Sequence, residues 1–148
     1  MIKNNYFDKN VKDSNNYTPL LRAFYHNHLE VIKYLISIGC DKNIKDDNNY
    51  TPLHIASYNN SLEVVKYLIS IGCDKNVKDN CDNTPLHEVS YNNSLEVVKY
   101  LISIGCDKNA KDDSGWIPLH VASHSNSLEV VKYLISVGCD KNVKNNRS

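Results

Sequence analysis

The chain carries no net charge: 17 Lys and Arg balance 17 Asp and Glu. A neutral chain has no overall electrostatic reason to seek nucleic acid or an anionic membrane. No stretch approaches the roughly 18 consecutive apolar residues that a membrane span needs. The N-terminal MIKNNYFDKN is polar and lacks the apolar centre of a signal peptide. These absences predict a cytoplasmic protein, with nuclear residence equally compatible, and argue against membrane insertion. Glycine is scarce, at five residues, and no Gly-rich phosphate loop is among them. There is no pair of carboxylates suited to a cleft and no nucleophile with an adjacent base. The expectation is therefore a protein that is not an enzyme, with no cofactor and no metal.

What the chain has in abundance is repetition. Pro19, Pro52, Pro85 and Pro118 stand 33 residues apart, and Gly39, Gly72, Gly105 and Gly138 keep the same step. Residues 61–76 read SLEVVKYLISIGCDKN; they return unchanged at 94–109 and with one Ile-to-Val change at 127–142. A diverged copy occupies 28–43. A fixed period of this length marks a stacked array of supersecondary units. The units are bounded at 13–45, 46–78, 79–111 and 112–144. Residues 1–12 match only the end of a preceding unit, and 145–148 open a truncated one.

Within the second unit, Asp and Asn at 46–49 suit a turn, since both tolerate the left-handed conformation and bond their own backbone. Thr51 occupies an N-cap position and Pro52 the first helical position, where its missing N–H costs nothing. The second helix is expected to be capped by Ser61. It is apolar around most of its circumference, with only Glu63, Lys66 and Ser70 polar, so it must be covered on several sides. One helix pair cannot cover it, whereas a stack of pairs can. Glu30, Glu63, Glu96 and Glu129 are expected to pair with the lysines three residues on. Cys40, Cys73, Cys106 and Cys139 are one position read four times. Stacked helices sit roughly 8–10 Å apart, too far for a disulfide between neighbouring copies, so they read as small buried hydrophobes. Cys81 breaks the pattern and is placed on a loop tip.

The pattern Asp-x-x-(Gly/Asn)-x-Thr-Pro-Leu-His, then Leu-Glu-Val-Val-Lys-x-Leu and Gly-x-Asp-x-Asn, resembles the ankyrin repeat over about residues 8–144. The resemblance implies an all-α repeat solenoid: helix-turn-helix units with short β-hairpin fingers projecting at right angles. It also implies structural roles for His54, His87 and His120, whose imidazoles would bridge backbone groups between units, alongside the capping Thr51 and Thr84. One histidine per unit places no two together for catalysis or metal binding. Ile117 departs from the motif threonine and is expected to cost its helix about 1 kcal/mol. Asn16, Asn49 and Asp82 stand where the family prefers glycine, which only Gly115 retains.

The resemblance further implies recognition of a protein or peptide on the concave face built by fingers and first helices. The copies differ at the corresponding positions while the second helix is almost frozen. The candidate partner-binding residues are Tyr17, Tyr50, Asn83 and Trp116 at the finger base. Tyr25, Tyr58, Tyr91 and His124 lie at the first-helix ends, and Asp47, Asn48, Asn80, Cys81, Asp113 and Ser114 at the finger tips. Aromatic rings beside Asn and Ser are typical of recognition surfaces; the alternative is that the tyrosines merely cover the seam between finger and helix. A second functional reading is a structural spacer or assembly element of a longer array, or self-association through the C-terminal repeat. Terminal repeats normally carry a polar outer face, yet Leu128, Val131 and Ile135 match the internal copies.

Overall fold

A computed structural model describes residues 8–146; the parts of the two flanking fragments at 1–7 and 147–148 lie outside the described residues. Eight helices follow one another: α1 (Pro19–Tyr25), α2 (Leu29–Ser37), α3 (Pro52–Tyr58), α4 (Leu62–Ser70), α5 (Pro85–Tyr91), α6 (Leu95–Ser103), α7 (Pro118–His124) and α8 (Leu128–Ser136). They form four antiparallel pairs. The first helices stack as one layer, α1 on α3 on α5 on α7, and α4, α6 and α8 stack as a second. The result is a helical repeat solenoid whose core runs continuously through every unit.

The first helices of the second and third units start for the same local reason. Thr51 is extended (φ −92°, ψ 167°), and its Oγ1 accepts from the His54 N–H at 3.5 Å. The Thr51 N–H in turn donates to His54 Nδ1 at 3.2 Å. This is a reciprocal capping box with histidine in the place usually held by Glu or Gln. Thr84 and His87 repeat it. At α7 the cap is Ile117, which has no acceptor, although its N–H still donates to His120 Nδ1 at 3.0 Å. Ile117 is only 2% exposed and belongs to the core. The expected loss of a cap is therefore offset by apolar burial. Thr84→Ala should cost about 1 kcal/mol, whereas Ile117→Thr should shift stability by less than about 1 kcal/mol because a gained cap offsets lost burial. Urea denaturation of the two variants checks both values.

The turn between paired helices passes through Asn27, Asn60, Asn93 and Asn126, all left-handed, with φ between 54° and 60°. Asparagine tolerates this region better than branched or bulky residues do. The second helices differ from expectation in one respect. Ser61 makes no side-chain cap bond, and its Oγ is buried without a partner. Its N–H is instead tied back to the Ala56 carbonyl at 2.9 Å, which leaves its backbone at φ −95°, ψ 79° rather than extended. Val97, Val98 and Leu101 are fully buried between neighbouring pairs, each worth about 1.5–3 kcal/mol of burial.

The fingers contain no strand among the described residues, unlike the short hairpins expected. The aspartate at the start of each finger explains this. Asp46 Oδ1 accepts from the N–H groups of Asn48 and Tyr50, both at 2.9 Å, and Asp46 N–H closes the turn onto Tyr50 O at 3.0 Å. The carboxylate thus takes up N–H groups that a ladder would use. Asp13, Asp79 and Asp112 repeat the arrangement. Asn16, Asn49 and Asp82 have φ of 60–68°, matching Gly115 at 77°. Glycine is needed at 115 for a further reason: a Cβ there would meet the Asn146 backbone N at 3.2 Å and its Oδ1 at 2.6 Å.

Neighbouring units are stitched by side chains. Lys75 Nζ donates to Ile104 O and Lys108 Nζ to Val137 O, both at 2.7 Å, and Lys9 and Lys42 do the same for Ile38 and Ile71. Each lysine thereby caps the C-terminus of the next unit's second helix, the negative end of its dipole. The repeated cysteines are free thiols: Cys40, Cys106 and Cys139 are buried and Cys73 half-buried. Their Sγ atoms donate to the carbonyls of Lys9, Lys42, Lys75 and Lys108 at 3.6–3.9 Å. Of the four expected Glu–Lys pairs, only Glu30–Lys33 lies within reach, at 3.8 Å. Lys66 and Lys99 instead lie over the rings of Tyr100 and Tyr133 in the following unit, at 5.5–5.6 Å, and Lys33 also lies over Tyr67 at 5.6 Å. A cation over a ring across the seam competes with an exposed pair worth only a few tenths of a kcal/mol.

The two ends of the stack differ from its interior. Val31 is 49% exposed where its counterpart Val64 is 2% exposed. At the other end Leu128 and Ile135 are exposed, while Val130 and Leu134 pack inward and Val131 is half-buried.

Candidate functional site

The fingers and first helices enclose a groove of about 400 Å³ across the second, third and fourth units. Tyr50, Tyr58, Asn83, Tyr91, Trp116 and His124 all line it, six of the residues singled out from sequence. Tyr58 and Tyr91 are about half exposed and stack on each other, with ring centroids 6.2 Å apart and 18° between planes. Trp116 meets His124 edge-on at 5.2 Å and leans on His120 at 6.1 Å. Its indole Nε1–H is buried with no hydrogen-bond partner, a cost of about 1–3 kcal/mol that Tyr17, Tyr50 and Asn83, in the same column, do not carry.

Tyr17 and Tyr25 lie outside this groove, packed together at 5.1 Å in the first unit. The Tyr25 hydroxyl donates to Asp46 Oδ2 at 2.8 Å. Burial and the Asp46 carboxylate push the Tyr25 phenol well above its usual range. Tyr50 stacks on His54 at 5.4 Å and donates to Glu88 Oε1 at 2.9 Å, so part of its polar capacity is already used within the scaffold.

The finger tips are exposed but joined to one another. Asn80 N–H donates to Asn48 O at 3.1 Å, Asp113 N–H to Cys81 O at 3.0 Å, and Asn146 N–H to Ser114 O at 2.9 Å. Asp47 accepts from Asn16 Nδ2 at 2.9 Å. Backbone bonds thus set the spacing of the tips, while the side chains of Asn48, Cys81 and Asp113 face outward. The Cys81 thiol is pushed up by partial desolvation and by the carboxylates of Asp113, Asp79, Asp112 and Asp82, which disfavours the reactive thiolate. Asn59 and Asn92, at the ends of α3 and α5, donate to the carbonyls of Tyr25 and Tyr58 and so cap the preceding unit's first helix.

The histidines hold the fingers onto the helices. His54 Nε2 donates to Asn83 O and His87 Nε2 to Trp116 O, both at 2.8 Å; His120 reaches Val143 O at 3.0 Å. Because Nδ1 accepts from the cap N–H, the ring proton must sit on Nε2. Burial lowers the pKa of His54 and His87, partly opposed by these carbonyls, so both rings are neutral at pH 7. Their nitrogens are fully engaged and free for neither catalysis nor a metal. Among the described residues no three His, Cys, Asp or Glu side chains converge as a metal site.

One groove residue escapes the sequence pattern. Glu88 is 8% exposed and lies on α5 in the slot held by Ile55 and Val121 in the flanking units. Burial raises its carboxyl to about 7, a shift opposed by the Tyr50 hydroxyl and reinforced by Asp79. The signal available beforehand was an acidic residue in a column that otherwise reads Arg22, Ile55 and Val121, visible once the copies are aligned.

Stacked helix pairs, joined by turns that project between them and locked by a Thr-Pro-Leu-His box, define a repeat protein whose variable side chains share one face. A family model described as Ankyrin repeats (3 copies) matches residues 1–79 and again 71–145. The chain belongs to the ankyrin repeat family. Ankyrin repeats generally mediate protein–protein interaction, and proteins of the family are generally non-catalytic binding modules. A search of curated proteins finds no match. No helix among the described residues is long and apolar enough to cross a membrane.

Proposed function

We propose that this chain is a non-catalytic module that binds a protein or peptide along the groove between its fingers and first helices. The observation that carries this reading is the convergence of Tyr50, Tyr58, Tyr91 and Trp116 around one open groove. Aromatic side chains supply large contact area at low entropic cost, and Tyr58 and Tyr91 spend about half their surface on solvent in the free chain. The unit boundaries read from the period, 13–45 through 112–144, give each groove wall one finger and one first helix.

The test is capture of a partner from cell extract by the wild-type chain and by a variant with alanine at Tyr50, Tyr58, Tyr91 and Trp116. Capture should be lost while the helical circular dichroism signal is retained. A second reading, association through the ends of the stack, rests on the exposure of Leu128 and Ile135. It wins if the groove variant still captures the partner and Leu128→Lys with Ile135→Lys does not.

A further inference from the structure

The first unit shows how this scaffold holds a guanidinium. Arg22 Nε donates to Asp13 Oδ2 at 2.7 Å, and its guanidinium carbon lies 4.6 Å from the centre of the Tyr17 ring. Asp13 is the finger carboxylate whose Oδ1 closes the turn onto the Tyr17 N–H, leaving Oδ2 for the arginine. A guanidinium over a ring with a carboxylate at the edge is an arrangement arginine favours and lysine does not reproduce.

The fourth unit repeats this notch with its cation missing. Asp112 Oδ1 closes the same turn onto the Trp116 N–H at 2.9 Å, and Trp116 replaces Tyr17 as the ring. The residue corresponding to Arg22 is Val121. Asp112, Trp116 and Val121 all line the groove, and so does Glu88 from the third unit. The groove therefore has acidic groups, an aromatic wall and no Lys or Arg among its lining residues. The Glu88 side chain accepts from the Tyr50 hydroxyl through Oε1. Its slot holds Arg22, Ile55 and Val121 in the other units, so packing does not require a carboxylate there. A buried carboxylate whose side-chain partner is a neutral hydroxyl rather than a cation is costly to keep charged.

We propose that the groove receives an arginine side chain of the bound peptide, its guanidinium stacked at Trp116 and paired with Asp112 and Glu88. The inference rests on the groove being the partner-binding face and adds the chemistry of what enters it. Arg22 on Asp13 and Tyr17 is the internal counterpart of the contact a partner would make. The charge complementarity is one-sided: the groove offers carboxylates and rings, and the ligand brings the cation.

The probe is a blocked pentapeptide, Gly-Ser-Arg-Ser-Gly, titrated into the full chain at pH 8 while the fluorescence of Trp116, the single tryptophan, is followed. The matched peptide carrying citrulline, isosteric but neutral, is the control, and a lysine peptide tests for the planar fork. Saturable change is expected with the arginine peptide, with a Kd at least about tenfold weaker for citrulline and several-fold weaker for lysine. Glu88→Gln, which keeps an acceptor for Tyr50, should weaken arginine binding about five- to tenfold. Equal binding of arginine and citrulline peptides, no saturable change up to millimolar arginine peptide, or no effect of Glu88→Gln overturns the proposal. Loss of partner capture in the four-residue aromatic variant with unchanged capture by Glu88→Gln would leave the groove as the binding face and remove arginine as its ligand.

Discussion

Replacing His87 by alanine is expected to destabilise the chain by about 2–5 kcal/mol, a large share of what a domain of this size possesses. The side chain is 1% exposed and occupies the seam between the third and fourth units. Its Nδ1 accepts from the Thr84 N–H at 3.1 Å and its Nε2 donates to Trp116 O at 2.8 Å. Alanine leaves the Thr84 N–H without a partner, at about 1–3 kcal/mol, and removes one of two bonds at Trp116 O, which still accepts from the Asp112 N–H at 2.9 Å. It also opens a void in a close-packed seam, which adds to the loss. The same change at His120 should cost less than half as much, because that ring is only half-buried and its bond to Val143 O is longer, at 3.0 Å. Equilibrium urea denaturation of both variants gives the comparison. Equal losses at the two positions would mean that burial of the seam does not control the cost. Trp116 should also respond, since its carbonyl is one end of the lost bridge: the indole fluorescence of His87→Ala is expected to change before global unfolding.

Glu88→Gln is expected to stabilise the chain by about 3 kcal/mol at pH 8 and to have almost no effect near pH 4. The folded-state carboxyl titrates at about 7 against an ordinary value of 4.5. Between those values the folded chain holds a proton that the unfolded chain has released. Stability therefore falls as pH rises through this window, and the loss is complete above the folded value. Glutamine retains an acceptor for the Tyr50 hydroxyl at the 2.9 Å site and cannot ionise. His54 and His87 act in the opposite direction. Burial lowers their pKa, so they favour the folded chain above the ordinary histidine value and withdraw that support as pH falls through their folded values. Both histidines are present in wild type and variant, so their contribution cancels in the difference. Denaturation of the two proteins at pH 4, 6 and 8 checks the slope; a difference that does not vary with pH would show that Glu88 is not the titrating group.

The two expectations mark different depths of legibility. The structural role of His87 is implied by the resemblance to the ankyrin repeat, and its recurrence beside Thr-Pro-Leu at a fixed step fits the same local geometry each time. The caps at Thr51 and Thr84 and the left-handed residues at Asn49 and Asn60 were equally readable, being decided within four or five residues of chain. Ser61 misled for the converse reason. Its position and type suit a cap, but its N–H is bound to the preceding helix and its backbone is not extended. Of the four Glu–Lys pairs only Glu30–Lys33 lies within reach; Lys66 and Lys99 find a ring in the next unit instead. Lys75 and Lys108 were legible as repeated residues but not as helix caps, since the carbonyls they satisfy lie 29 residues along the chain.

Period, composition and local caps thus determine the class of this protein by themselves. An apolar second helix that no single pair can cover requires stacking, and four copies supply it. Only the tertiary structure decided which variable residues meet. Tyr58 and Tyr91 stack across a seam, Tyr50 reaches Glu88, and Asp112 with Trp116 repeats the Asp13–Tyr17 notch without its arginine. These juxtapositions depend on how one unit is seated on the next. That seating is set by long-range packing and bonds between units, which a pattern confined to one repeat does not contain.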